Sequence, residues 1–261
     1  MIRQAPPRLR ASASAILSSV LVFACASIQA QSPEKLLKDG EAYDLKLEAA
    51  KALATYQELE KIEPTNADVK VRIARQYRHL MADAPNTGDK LELGTKALDY
   101  GRKAAALAPS NSDAQLSCAI SYGKMLPLFS SREQMTTSKL IKEGAEKAIK
   151  LKSSNDLAWH ILGRWHRGVA SVGSVKRALA SMVYERLPTA SNEEAIACFE
   201  KAAKLNPNRM MHQIELGRTY AQLGMKDEAK RVLQKGCSMP ELEKEDAQLK
   251  SEGKQLLASL R

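Results

Sequence analysis

Aromatic side chains make up only 5% of the 261 residues. That is low for a β-sandwich or barrel, whose strands are rich in rings. Cysteine is scarce as well, with four in the chain. Cys118, Cys198 and Cys237, those beyond the N-terminal segment, are far apart, odd in number and form no C-x-x-C pair. This argues against a disulfide framework and a zinc site and leaves buried free thiols. No G-x-S-x-G, H-E-x-x-H, P-loop or glycine-rich dinucleotide loop occurs, so nothing marks a hydrolase elbow, a zincin or a nucleotide enzyme. His160 and His166 stand six apart on one expected helix, so they do not share a face, and a metal pair needs a third ligand. The expectation is a chain that is not an enzyme and has no cofactor and no metal. Past the N-terminal segment, no stretch is long and apolar enough to cross a membrane.

What is present favours helix. Alanine, leucine, lysine and glutamate dominate, and 44% of residues are hydrophobic, enough for a sizeable core. The net charge is +10. Setting aside Arg3, Arg8 and Arg10, the only charges in residues 1–32, leaves 37 basic against 30 acidic residues. That balance favours anionic partners in general without indicating nucleic acid.

The first 30 residues have the three-part pattern of a secretory signal: basic Met1–Arg10, apolar Ala15–Ile28, then Ala26 or Ala30 before a cut. Export to a periplasm or to the outside is the expected location. The alternative is a mitochondrial presequence, because the segment is rich in Arg and Ser and has no acid before Glu34. Cys25, behind Val22-Phe23-Ala24, weakly resembles a lipoprotein box, with Phe23 a poor fit.

Residues 33–261 repeat a pattern. Near the end, Leu216-Gly217-x-x-Tyr220 precedes Ala229 and Leu233. This is the spacing of a tetratricopeptide (TPR) unit of about 34 residues. Trp159-x-x-Leu162-Gly163 leads to Ala195-x-x-x-Phe199-x-x-Ala202 and Pro207; Gly40-x-x-Tyr43 leads to Ala52-x-x-x-Tyr56 and Pro64. Two degenerate units start at Ile73-Ala74-x-x-Tyr77 and Cys118-Ala119-x-x-Tyr122. Gly40, Ala74, Ala119, Gly163 and Gly217 let helix A of each unit approach helix B, and the prolines stop helix B. Each unit leaves an apolar face that only its neighbour covers. The fold expected is all-α: a right-handed α-solenoid of about five TPR-like units. Insertions are expected between helices A and B near Met81–Leu93, Gly123–Lys139 and Gly168–Asn192. The third, with Val175, Leu179, Met182 and Val183 at helical spacing, suits an added helix. Glu241–Arg261, with Leu242, Leu249, Leu256 and Leu260, suits a C-terminal capping helix with a wet outer face.

Stretched units in this order resemble the regulator of microtubule dynamics family. The matching residues are Trp159-His160-x-x-Gly163-Arg164-Trp165, Leu187-Pro188, Glu194-Ala195-x-x-x-Phe199-x-Lys201-Ala202, Leu216-Gly217-x-x-Tyr220 and the tail Glu245-Asp246 … Gln255-Leu256-Leu257-x-Ser259. The resemblance runs from about Lys35 to Arg261. It implies a TPR-like protein associated with microtubules and spindle poles. It also implies that some members sit at mitochondrial or endoplasmic reticulum membranes and that the domain can bind phospholipid. A secretory leader would separate this chain from tubulin, whereas a cytoplasmic, microtubule-associated location follows the family.

In TPR-like proteins helix A lines a concave groove. The groove positions, just after the small residue and one turn on, read Arg75 and Arg78 with His79 beside them, then Ile120 and Gly123 with Lys124, then Arg164 and Arg167 with His160 one turn before, then Arg218. Guanidinium groups suit carboxylate and phosphate. These arginines are expected to lack acid partners on their own faces, beyond Asp68 and Asp113 at the rims, while the first unit offers Glu41 and Asp44. Solvated helix charge is the plain alternative. Met125, Leu126, Leu128, Phe129 and Met135 are either core under a long loop or an apolar edge for a lipid chain. The function expected is a non-enzymatic scaffold whose basic groove takes an acidic protein segment. The alternative is a phospholipid-binding or transfer module with phosphate on the arginines. Export predicts a mature chain that begins after Ala26 or Ala30. N-terminal sequencing that recovers Met1 from a cytosolic fraction would overturn it.

Overall fold

The computed structural model describes residue 1, residues 32–171 and residues 190–260. The chain divides into two units, Met1–Gln31 and Ser32–Arg261. Apart from Met1, the leader expected over residues 1–30 lies outside the described residues, as does the helix expected around Val175–Val183. All regular structure among the described residues is helical.

Five helix pairs follow one another. They are α1 (Pro33–Leu45) with α2 (Ala49–Ile62), α3 (Ala67–Asp83) with α4 (Thr87–Leu107), α5 (Ser112–Met125) with α6 (Ser131–Leu151), α7 (Asp156–Ala170) with α8 (Asn192–Leu205), and α9 (Met210–Gln222) with α10 (Lys226–Ser238). The eleventh helix, α11 (Asp246–Ser259), packs on the last pair. Odd-numbered helices up to α9 are the A helices and even-numbered ones the B helices. This is the expected α-solenoid.

The first two insertions stand between helices A and B. They do not form long loops but mostly lengthen helices: α3 runs on to Asp83, and α4 and α6 each reach 21 residues against 14 for α2. The reason is local. Asn86 caps α4 by accepting from Asp89 N–H at 2.9 Å, and Ser130 with Glu133 forms a reciprocal capping box on α6, so both helices start early. Met125 is buried against Met81 and Leu98, Leu128 and Phe129 pack on that cluster, and Leu126 packs on the neighbouring one. Residues 125–129 of that apolar stretch therefore pack on the core, with Met125 buried and Leu126, Leu128 and Phe129 half-buried.

A second repeat runs along the turns between units. Asn66, Asn111 and Asn155 each cap the following A helix. The amide groups of the last two also reach back one unit. Asn111 donates to Asp68 at 3.2 Å and Asn155 to Asp113 at 2.8 Å. Each of these caps thus satisfies its own helix and ties it to the one before.

The core follows the small-residue rule. Ala52, Ala74, Ala119, Ala145, Ala195 and Ala229 are sealed from solvent, along with Tyr56, Phe199 and Leu233. At Gly163 an added Cβ would lie 2.9 Å from the Phe199 ring and 3.1 Å from Cys198 Cβ. At Gly217 it would lie 2.6 Å from Leu233 Cγ and 3.4 Å from the Leu233 backbone nitrogen. Nothing lies within 4 Å of such an atom at Gly123 or Gly168. Gly163→Leu and Gly217→Leu are therefore expected to destabilise by about 1–3 kcal/mol or more through overpacking. Gly123→Ala and Gly168→Ala should be neutral or gain up to about 1 kcal/mol of helix propensity. Thermal melts of the four variants check this, and a parent-like melt for both leucine variants would show that the repeat register is wrong.

Candidate binding site on the A-helix face

The predicted groove cations come together. In each A helix the small residue faces helix B, so the next residue, about 100° further round, points elsewhere. Arg75 and Arg164 are exposed there. The groups sense one another in order along the stack. Arg75 lowers the pKa of Arg78, Arg78 and Arg164 lower that of Lys124, and Arg164 and Arg218 lower that of Arg167, in each case secondary to burial. His79 lies among Arg75, Lys124, Arg78 and Lys244, and burial followed by these charges pushes its pKa down to about 3.

The expectation that these arginines lack acid partners is corrected. Arg75 lies 3.5 Å from Asp44, and Arg72 pairs with Glu41 at 2.7 Å, so the acids of the first unit serve the second. Arg167 pairs with Glu215, and Arg218 reaches the same carboxylate at 2.6 Å while also pairing with Glu252. Burial pushes the Glu215 carboxyl up, but Arg164, Arg167 and Arg218 outweigh it and hold it below its usual value. Lys124 pairs with Glu245. Apart from the Glu215–Arg218 contact, these partners lie on other helices or past α10, at separations of up to 121 residues, beyond the reach of a local pattern.

Arg78 is also not a groove ligand in waiting. It is 5% exposed and donates to the hydroxyls of Ser117 at 3.3 Å and Ser121 at 3.2 Å on α5. Burial pulls its pKa down to about 10. It clasps α3 to α5 rather than facing solvent. Arg164 is different: it is exposed and makes no ion pair among the described residues.

His160 belongs to a relay that the sequence alone did not reveal. Its Nδ1 lies 3.0 Å from Nδ1 of His212 on α9, whose Nε2 lies 2.9 Å from Asp156. Asp156 pairs with Arg209, which donates to Glu243 at 2.7 Å. Both imidazoles are buried. Burial raises the Asp156 pKa, and His212 and Arg209 more than reverse that. Arg209 is the signal that could have revealed the relay. It stands in the cap position that asparagine fills in three earlier units, and it makes no side-chain cap.

Burial pushes the thiols of Cys118 and Cys237 up and that of Cys198 to about 12, which disfavours the thiolate. No cluster of three or more His, Cys, Asp or Glu suited to a metal ion occurs among the described residues.

A family model described as Regulator of microtubule dynamics protein 1-3 matches residues 36–261. Regulator of microtubule dynamics protein 1 of Bos taurus is 29% identical over 245 residues, covering 93% of this chain and 76% of that protein. The protein of the same name from Mus musculus is 29% identical over 200 residues, covering 76% of this chain and 66% of its own length. Regulator of microtubule dynamics protein 3 of Xenopus laevis is 28% identical over 176 residues, and the match spans 67% of this chain but only 38% of that protein. A thermophilic TPR protein of Thermus thermophilus matches in structure with a TM-score of 0.63 at 16% identity, covering 87% of this chain and all of that one. That likeness shows the TPR fold.

Burial holds His79 and His160 neutral in the fold, with neighbouring positive groups adding to the effect. The unfolded chain protonates such residues below about pH 6.5. The unfolded state then binds more protons, so this stability is full above about pH 6.5 and falls as pH drops towards the folded values. His79 alone should lose about 2 kcal/mol between about pH 7.5 and 5.0, with His160 adding in the same direction. Urea midpoints at the two pH values check this, and equal midpoints would show that these histidines protonate freely in the fold.

Proposed function

This chain belongs to the regulator of microtubule dynamics protein family, and we propose that it works as a non-enzymatic TPR-like scaffold whose A-helix face binds an acidic segment of a partner protein. The observation that carries this is Arg164. It is exposed, it stands between Lys124 and Arg167 in the row of cations, and no carboxylate among the described residues pairs with it. Arg75, further along the row, keeps only a 3.5 Å contact with Asp44 and is also exposed. Arg164 acts on Glu215 only from beyond ion-pair distance, and a row of cations with such exposed members raises the local potential and draws in carboxylates. The disfavoured thiolates and the absence of a catalytic motif support binding over chemistry.

The proposal keeps the exported location read from the leader. The microtubule role stated in the relatives' names then stays with those relatives, whose full lengths this chain only partly spans. A phospholipid headgroup shares the anion chemistry, but of the apolar residues considered for holding its chains Met125 is buried and Leu126, Leu128 and Phe129 pack against core clusters.

The test is a titration of labelled hexaglutamate against the full chain. Arg164→Ala should weaken binding about two- to fivefold, as for an exposed charge, with unchanged helicity and melting. Arg164→Glu should weaken it further. Arg167→Ala is the wrong probe, because it strips a partner from buried Glu215 and should lower the melting temperature by itself. Equal affinity for the parent and Arg164→Glu at low salt would end the proposal. Binding instead to phosphatidylserine vesicles that persists at high salt would transfer the site to phospholipid, since charge attraction alone is screened.

A further inference from the structure

The segment joining α10 to α11 lies against A helices far from it in the chain. Glu243 pairs with Arg209 at the start of α9, Lys244 with Asp83 at the end of α3 at 2.8 Å, and Glu245 with Lys124 near the end of α5. Three consecutive residues therefore touch three separate repeat units. The flanking helices are fastened differently. On α11, Leu249, Leu256 and Leu257, with Leu260 just past its end, pack on the core around Ile214, and an atom added at Gly253 would lie 2.8 Å from Ile214 Cδ1. Met239 still packs on that core, and beyond it residues 241–245 have one large apolar side chain, Leu242, which is 59% exposed. The strap's own turn is closed by Asp246, which accepts from the N–H groups of Leu242 at 2.9 Å and Glu243 at 2.8 Å. Charge holds the strap in place, with little apolar burial.

We propose that residues 241–245 are a built-in competitor of the partner: an acidic strap that occupies Lys124 and Arg209 on the A-helix face and must lift before an acidic peptide fills it. This deepens the scaffold reading and rests on it. The strap also specifies the partner's chemistry. Glu243 and Glu245 are two residues apart and meet two cations of different units, so the partner presents two carboxylates at the same spacing in an extended or turned segment. Local opening of this kind takes least free energy where contacts are polar and partly solvated, as here. Lifting the strap leaves α10 and α11 seated, because leucines hold them.

The test uses the full chain, its Glu243→Gln/Glu245→Gln variant, labelled hexaglutamate, and a labelled peptide with the sequence of residues 239–248. The variant is expected to bind both probes about tenfold more tightly than the parent does. Hydrogen exchange on the parent gives a readout that needs no variant. The amides of Leu242 and Glu243 should exchange faster in about 0.5 M salt or with saturating hexaglutamate, while those of α10 and α11 stay protected. Equal probe affinity for parent and variant, or strap amides that ignore the peptide, overturns the strap and leaves the scaffold reading standing. If hexaglutamate binds neither protein, the scaffold reading itself fails and the strap falls with it.

Discussion

The close approach of each A helix to its B helix at one small residue sets the rest of the structure. At Gly40 the ring of Tyr56 fills the space, at Gly163 that of Phe199, and at Gly217 the side chain of Leu233. Where alanine replaces glycine the partner shrinks instead, so that Ala119 meets Gly144. This contact does more than seal the core. It fixes the rotation of the A helix about its own axis, because only one face can come so near. Once Gly163 faces Phe199, Arg164 points away from the pair, while His160 and Arg167, on the flank of the Gly163 face, reach His212 and Glu215 of the neighbouring A helix. The packing that stabilises the solenoid is thus also what lines up its charges.

Lining up cations creates a difficulty that the fold answers with single carboxylates shared between units. Glu215 is 4% exposed and serves both Arg167 and Arg218, with Arg164 close enough to act on its charge. With Arg164 counted, three guanidinium groups share Glu215 and Glu252, which leaves one net positive charge at that point. Such half-buried pairs contribute modestly to stability, because desolvation offsets attraction, but removing one partner is costly. They therefore fix geometry more than they add free energy. Arg78 shows the other answer, in which a buried cation is held by serine hydroxyls on the next A helix. That choice removes it from the face and closes the gap between α3 and α5.

The fold was legible because its signals are local. The Gly-x-x-Tyr and Ala-x-x-x-Phe spacings report contacts within one unit, and the five helix pairs and α11 stand where those spacings put them. The positions of Arg75, Arg164 and Arg218 were legible for the same reason. Their partners were not. Glu215, Glu245 and Glu252 reach Arg167, Lys124 and Arg218 across 34 residues or more, a separation that depends on how units stack rather than on period. His212 escapes a reading by pattern because a lone histidine on an apolar helix carries none, and only the neighbouring A helix gives it His160 and Asp156. The early start of α4 is hidden in sequence, since Pro85-Asn86 marks a turn; the turn is real, but Asn86 is also a helix cap, and a new helix begins directly after it.

The last unit shows how a repeat stops. Three asparagines cap successive A helices, two of them tying their helix to the one before, and at the fourth position Arg209 takes their place. An arginine cannot accept from the helix N–H groups, so α9 starts without a side-chain cap, at a loss of about 1 kcal/mol. It can still reach back to Asp156, as the asparagines reach Asp68 and Asp113. Its longer reach and second donor edge also bring in Glu243, which no asparagine could hold together with the acid behind it. The ladder therefore does not simply end. Its final rung turns outward and takes hold of the chain returning from α10, so that the segment closing the solenoid is fastened by the same contact that began as a helix cap.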